Sequence, residues 1–255
     1  EAIRLLQSAR RPMIIAGGGI HYAEAWHELK SFSEKFGIPV SETSAGKGSI
    51  RTPSPFLLGG QGVSGTSAAA KISSTTDLVL TIGGRSSDFT TGSQSAFNNP
   101  SVKFININVQ GRDAYKQNGL PIVADARATL EALLNAATAA RIKPDGGYRQ
   151  EIVELNAAWK TRLNKDVSPS NTMHQGQLIR VLNDQAQEGD VVIAAAGTPP
   201  SDLLKAWDAT GGRGCHLEFG NSCMGYEIPA GLGVRMTQSK GEVYVLIGDG
   251  TYLMN

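Results

Sequence analysis

The chain has 255 residues, 24 basic and 23 acidic side chains, a net charge of +1, and 40% hydrophobic residues. That balance describes a globular protein long enough for two cores, and it argues against nucleic-acid or membrane partners. Cys215, Cys223 and four scattered histidines lack zinc-ligand spacing, and no apolar run is long enough for a membrane span. The expectation is a cytoplasmic protein with two reduced, buried thiols.

The opening EAIRLLQSARRP reads as a helix already under way, with no initiator Met, so the chain is expected to be an interior piece of a longer protein. An apolar run at 13–16 then predicts a strand, and Gly17-Gly18-Gly19 turns it toward a helix. This turn suits either a phosphate cradle or a tight strand-to-helix connection. The second reading is favoured, because Tyr22 stands where a third fingerprint glycine belongs. Glu42 lies at a workable distance for a ribose-binding acid. Trp26, Leu29, Phe32 and Phe36 share one helical face, and Gly37 closes that helix.

A second strand at 78–82 runs into Gly83-Gly84-Arg85. There Arg85 can meet a diphosphate or pair with Asp88, and both readings stay open. Strands follow at 104–109 and 122–124, and Asp125 is a candidate N-cap for the next helix. Breaks at 141–148 and 164–171 flank a polar helix over 149–163. Residues 1–145 are therefore read as a three-layer, parallel-sheet α/β middle domain of Rossmann-like type. Residues 146–170 read as a linker, and 171–255 as the first part of a second parallel-sheet α/β domain.

In that second part a strand at 191–195 meets Gly197, Thr198 and Pro199-Pro200. Prolines suit a first helical turn, whose remaining amides favour an anion unless Asp202 caps them. The stretch CHLEFGNSCMGYEIPAGLGVRM places Gly220, Gly225, Gly231 and Gly233 around a helix, which by itself suggests close helix packing. Last comes VYVLIGDGTYLMN. Asp249 sits where a parallel strand (243–247) meets its loop, the ligand edge of an open sheet. A carboxylate there suits Mg²⁺ alongside a substrate phosphate.

Together the A-G-T turn, the E-F-G-x-S-C-M-G stretch and the terminal G-D-G resemble the diphosphate-binding domain of thiamine-diphosphate-dependent enzymes. KGSIRT, LGGQGVSGTSAAA and DLVLTIGGRSSDFTTG are similar to the middle domain of their acetolactate-synthase-like branch. Within it, AAAGTPPSDLLKAW and HLEFGNSCMGYEIPAGLGVRM look most like the hydrolases that open a cyclic 1,2-dione in inositol catabolism, and GDGTYLMN is similar to their magnesium motif.

The resemblance implies thiamine diphosphate and Mg²⁺ as cofactors, with Asp249 as metal ligand. It implies that Gly197, Thr198, Gly250 and Thr251 line the diphosphate. The Met224 backbone would hold the aminopyrimidine, in a loop shaped by Gly220, Ser222 and Gly225. It also implies a small cyclic polyol dione as substrate and a homodimer or homotetramer. No catalytic residue is assigned within the chain. The family's catalytic Glu falls before Glu1, and its second metal-binding Asn falls beyond the end, Asn255 being a poor substitute. The chain alone is expected to be inactive. Two rivals remain: a carboligase or decarboxylase with flavin near Gly83–Arg85, and a non-catalytic nucleotide-binding module using Gly17–Gly19.

Overall fold

The computed structural model describes residues 1–254, so Asn255 lies outside the described residues. The first unit runs α1 (Ala2–Ser8), β1 (Pro12–Ala16), α2 (Gly19–Tyr22), α3 (Trp26–Phe36), β2 (Val40–Glu42), β3 (Leu57–Gly60), α4 (Ser67–Thr75) and β4 (Leu78–Ile82). It continues with α5 (Asp88–Thr91), β5 (Lys103–Asn108), α6 (Gly111–Ala114), β6 (Leu120–Val123), α7 (Ala126–Ala139) and α8 (Gly146–Asp166). Its six strands are all parallel, in the order β3-β2-β1-β4-β5-β6.

Strand alternation builds the three layers. On β1, Ile14 and Ala16 face the core beneath α1, α3 and α7, while Met13 and Ile15 face the core beneath α4 and α8. Both faces are covered, so these strands read as continuous apolar runs, as buried parallel strands do. Asp125 caps α7 as expected, its Oδ1 accepting from Ala128 N at 3.0 Å. Gly37 ends α3 in the left-handed region at φ 64°.

Two expectations need correcting. The 146–170 stretch is largely α8, and α8 seats on the first sheet. Tyr148 and Ile152 are buried in that core, Tyr148 Oη donates to Pro12 O, and Arg11 grips Glu151 through two 2.8 Å bonds. A polar surface hides a short apolar stripe, which is why the helix reads as a bridge in sequence. Of the two thiols, Cys223 is exposed rather than buried.

The second unit runs α9 (Gln175–Gln185), β7 (Val191–Ala194), α10 (Pro199–Ala206), β8 (Gly214–Leu217), α11 (Glu227–Thr237), β9 (Val243–Val245) and α12 (Asp249–Tyr252). Its three parallel strands lie in the order β8-β7-β9. Ile179, Val192, Ala194, Leu203, Leu204, Trp207 and Leu217 make its core.

The two units meet along α10. Lys47 Nζ, nearly buried, donates to Leu204 O at 3.1 Å near the helix's carboxyl end, and Ser64 Oγ meets Ser201 Oγ at 2.6 Å in its first turn. A cation among the last carbonyls of a helix is favourable.

Candidate functional site

The carboxyl ends of β7, β8 and β9 define one edge. Pairing runs Ala194↔Leu217 and Ile193↔Val245. Gly197 follows β7, Gly220 follows β8 and Asp249 follows β9, each within four residues of the end of its strand. The three predicted segments leave from the same end of neighbouring parallel strands, the end where open parallel sheets bind ligands.

The local chemistry of that edge is open. Gly197 holds φ 75°, a conformation that suits glycine, and turns the chain from β7 into α10. Gly248, Asp249 and Gly250 are exposed, and a Cβ added at Gly248 or Gly250 would meet nothing within 4 Å. The only hydrogen bond formed by the Asp249 side chain among the described residues is Oδ1 accepting from the adjacent Gly250 N at 2.8 Å. Its carboxylate is free to coordinate. Asp202 does not cap α10; its Oδ2 accepts from Gln175 Nε2 at 2.7 Å instead. Thr198 is exposed beside it, its hydroxyl 3.3 Å from Gln175 Oε1. Thr251 differs from the other diphosphate candidates: it is buried rather than displayed on the edge.

The Met224 loop is built by its neighbours. Glu218 accepts from Asn221 N and Cys223 N, which folds 219–223 into a turn. Ser222 sits at φ 51° and Gly225 at φ 86°, and Ser222 Oγ donates to Ala195 O at 3.3 Å. Met224 itself is half exposed. Gly231 lets α11 lie against β9, since a Cβ there would be 2.6 Å from Val245 Cγ2. One residue carried no expectation at all: Glu227, fully buried at the start of α11, whose Oε1 accepts from Ala196 N at 2.9 Å. An acid opening a helix was the only hint, and it says nothing of a partner 31 residues away.

No group of three or more His, Cys, Asp or Glu that could hold a metal exists among the described residues. A single carboxylate beside an open glycine turn still fits Mg²⁺, which takes one or two carboxylates with phosphate and water completing its shell. The glycine turns likewise leave room for a diphosphate, so the residues fit both groups.

The first sheet presents a different edge. Gly17 and Gly19 pack backbone to backbone on Gly83; a Cβ on Gly19 would be 2.6 Å from Gly83 Cα. This turn is a close-packing device. Glu42 is 1% exposed, and its Oε1 accepts from Gly48 N, Ser49 N and Ser49 Oγ, so it is committed internally and does not await a ribose. No ion pair between Arg85 and Asp88 forms among the described residues; the Arg85 guanidinium reaches Gly220 instead. Above the turn, where the strand order reverses between β1 and β4, lies a cavity of about 510 Å³. It is lined by Gly18, Gly84, Arg85 and Asn108, and from the second unit by Phe219 and by Gly220, a predicted cofactor residue. A further cleft of about 750 Å³ separates the units near His21, Arg51 and Arg213. Neither is lined by Gly197, Met224 or Asp249.

Comparison with known proteins agrees with this architecture. Residues 1–133 match the family model described as thiamine pyrophosphate enzyme, central domain, and residues 195–255 match the C-terminal TPP binding domain. The chain belongs to the thiamine pyrophosphate enzymes. Over its whole length it is 36% identical to the 3D-(3,5/4)-trihydroxycyclohexane-1,2-dione hydrolase of Bacillus cereus (strain AH820) and 36% identical to that of Clostridium perfringens (strain 13 / Type A). It spans 43% of the length of each.

Proposed function

We propose that the protein serves a thiamine-diphosphate- and Mg²⁺-dependent hydrolysis of a carbon–carbon bond in a cyclic 1,2-dione, with trihydroxycyclohexane-1,2-dione as substrate and 5-deoxyglucuronate as product. The observation that carries this reading is that β7 and β9 are neighbouring parallel strands, the Gly197 turn following one and the exposed Asp249 following the other. It occurs in a chain similar throughout to hydrolases of that name.

When bound, thiamine diphosphate supplies the nucleophilic carbon and the electron sink that such a cleavage requires. The chain's own residues hold it. Asp249 takes the metal, the Gly197–Thr198 turn and Gly250 admit the diphosphate, and the Met224 backbone with Gly220, Ser222 and Gly225 orients the pyrimidine. Thr251 then supports the α12 turn from within. A homodimer or homotetramer fits a site completed from more than one chain. The test is incubation of full-length protein, thiamine diphosphate and Mg²⁺ with the dione, followed by mass spectrometry. A ring-opened acid one water heavier than substrate is expected. No such product, with the cofactor bound, overturns the substrate assignment.

A second reading is a flavin-containing carboligase of the same family, favoured by the cavity above Gly83–Arg85. Flavin absorbance in the purified protein would select it. Colourless protein that turns over the dione would reject it.

A further inference from the structure

Glu227 is 0% exposed, and among the described residues only one of its carboxyl oxygens accepts a hydrogen bond. Oε1 accepts the Ala196 amide, while Oε2 has no hydrogen-bond partner among the described residues. From the same loop, Ser222 Oγ donates to Ala195 O. The two residues immediately before Gly197 are therefore gripped from one side by the segment that flanks Met224. A buried carboxyl with an idle oxygen is a costly way to satisfy one amide. An apolar side chain of similar volume would spare the carboxyl's desolvation but leave the buried Ala196 N–H unpaired. What the carboxyl gains is placement.

We propose that Glu227 is a positioning residue that locks the Gly197–Thr198 turn to the Met224 loop, fixing the separation at which one ligand meets both. The inference rests on reading this edge as the thiamine diphosphate site. Being fully buried, Glu227 does not touch the ligand; it acts through the Ala196 amide. Glu227→Gln keeps the acceptor at Oε1 and puts an NH2 where Oε2 has no hydrogen-bond partner among the described residues, so the Ala196 bond is retained.

The experiment is calorimetric titration of thiamine diphosphate with Mg²⁺ into the full-length protein and its Glu227→Met and Glu227→Gln variants, with thermal midpoints measured in parallel. Glu227→Met keeps the buried volume. Because it leaves the buried Ala196 N–H without its acceptor, its midpoint should fall modestly, and it should bind the cofactor about tenfold more weakly, a loss of ~1.4 kcal/mol. Glu227→Gln should bind within about threefold of wild type. As a control, Ile179→Ala, a core truncation on α9, should lower the midpoint with affinity unchanged.

Equal affinity in Glu227→Met and wild type overturns the proposal. So does failure of Glu227→Gln to bind while it remains folded. If Glu227→Met does not fold, exchange of the Ala196 amide in Glu227→Gln decides: retained protection supports the brace, and loss of it contradicts the brace. Absence of binding by wild type sinks the site assignment itself and is thereby distinguished from failure of this inference.

Discussion

The two parallel sheets of this molecule end their strands in glycine-rich turns and use them in opposite ways. On the first sheet the turns close on each other: Gly19 against Gly83 with no room for a methyl, and Glu42 committed to three donors. On the second sheet Gly248 and Gly250 face open space and Asp249 is exposed. A glycine beside a strand end thus signals close backbone approach on the first sheet, whereas on the second it leaves open space beside Asp249, where a ligand is proposed. Sequence composition is the same for both; only the identity of the neighbour separates them.

Substitution should split the two edges. The largest effect is expected for Gly19→Ala, which drives a Cβ into backbone at 2.6 Å and should cost about 3 kcal/mol in denaturant unfolding, at the upper end for overpacking. Next comes Lys47→Met, which removes a nearly buried cation bonded to Leu204 O across the units and should cost about 2 kcal/mol. A smaller, pH-dependent effect belongs to His21. Its Nδ1 accepts from Trp26 Nε1, its Nε2 faces Lys47 O, and burial lowers its pKa. The unfolded chain therefore takes up this proton first, so stability is full above about pH 6.5 and declines as pH falls toward the depressed folded-state value. The urea midpoint should drop between pH 7 and 5.5, and His21→Gln should make that drop shallower. Smallest of all, Gly250→Ala should leave unfolding within ~0.5 kcal/mol of wild type while weakening thiamine diphosphate binding. A large loss of stability there, or none at Gly19, would erase the distinction between the edges.

What could be read in the sequence follows physical lines. The long β-branched runs behind β1, β4, β5, β7 and β9 were legible, as were the α3 stripe and the Asp125 cap. β2, β3 and β8 were not. VSE, LLGG and GCHL are three or four residues long and include polar or glycine positions that only sheet neighbours turn into strand. Glu42 suggested a ligand because its acidity was visible, but its Gly48 and Ser49 partners were not recognisable as such. Glu227 shows the reverse error: its role depends on Ala196, brought near only when α11 packs on β7. That Gly197, Gly220 and Asp249 leave from neighbouring strands depended on a strand order that no single motif contains.

The central claim is that the Asp249 carboxylate anchors a diphosphate through a divalent ion. Its most direct measurement is titration of thiamine diphosphate into the full-length protein and into Asp249→Ala, each with and without Mg²⁺. Wild-type binding should require the metal, and the variant should bind at least about 100-fold more weakly, the upper end of what even an outer-shell partner costs. Equal, metal-independent binding by both proteins would contradict the account.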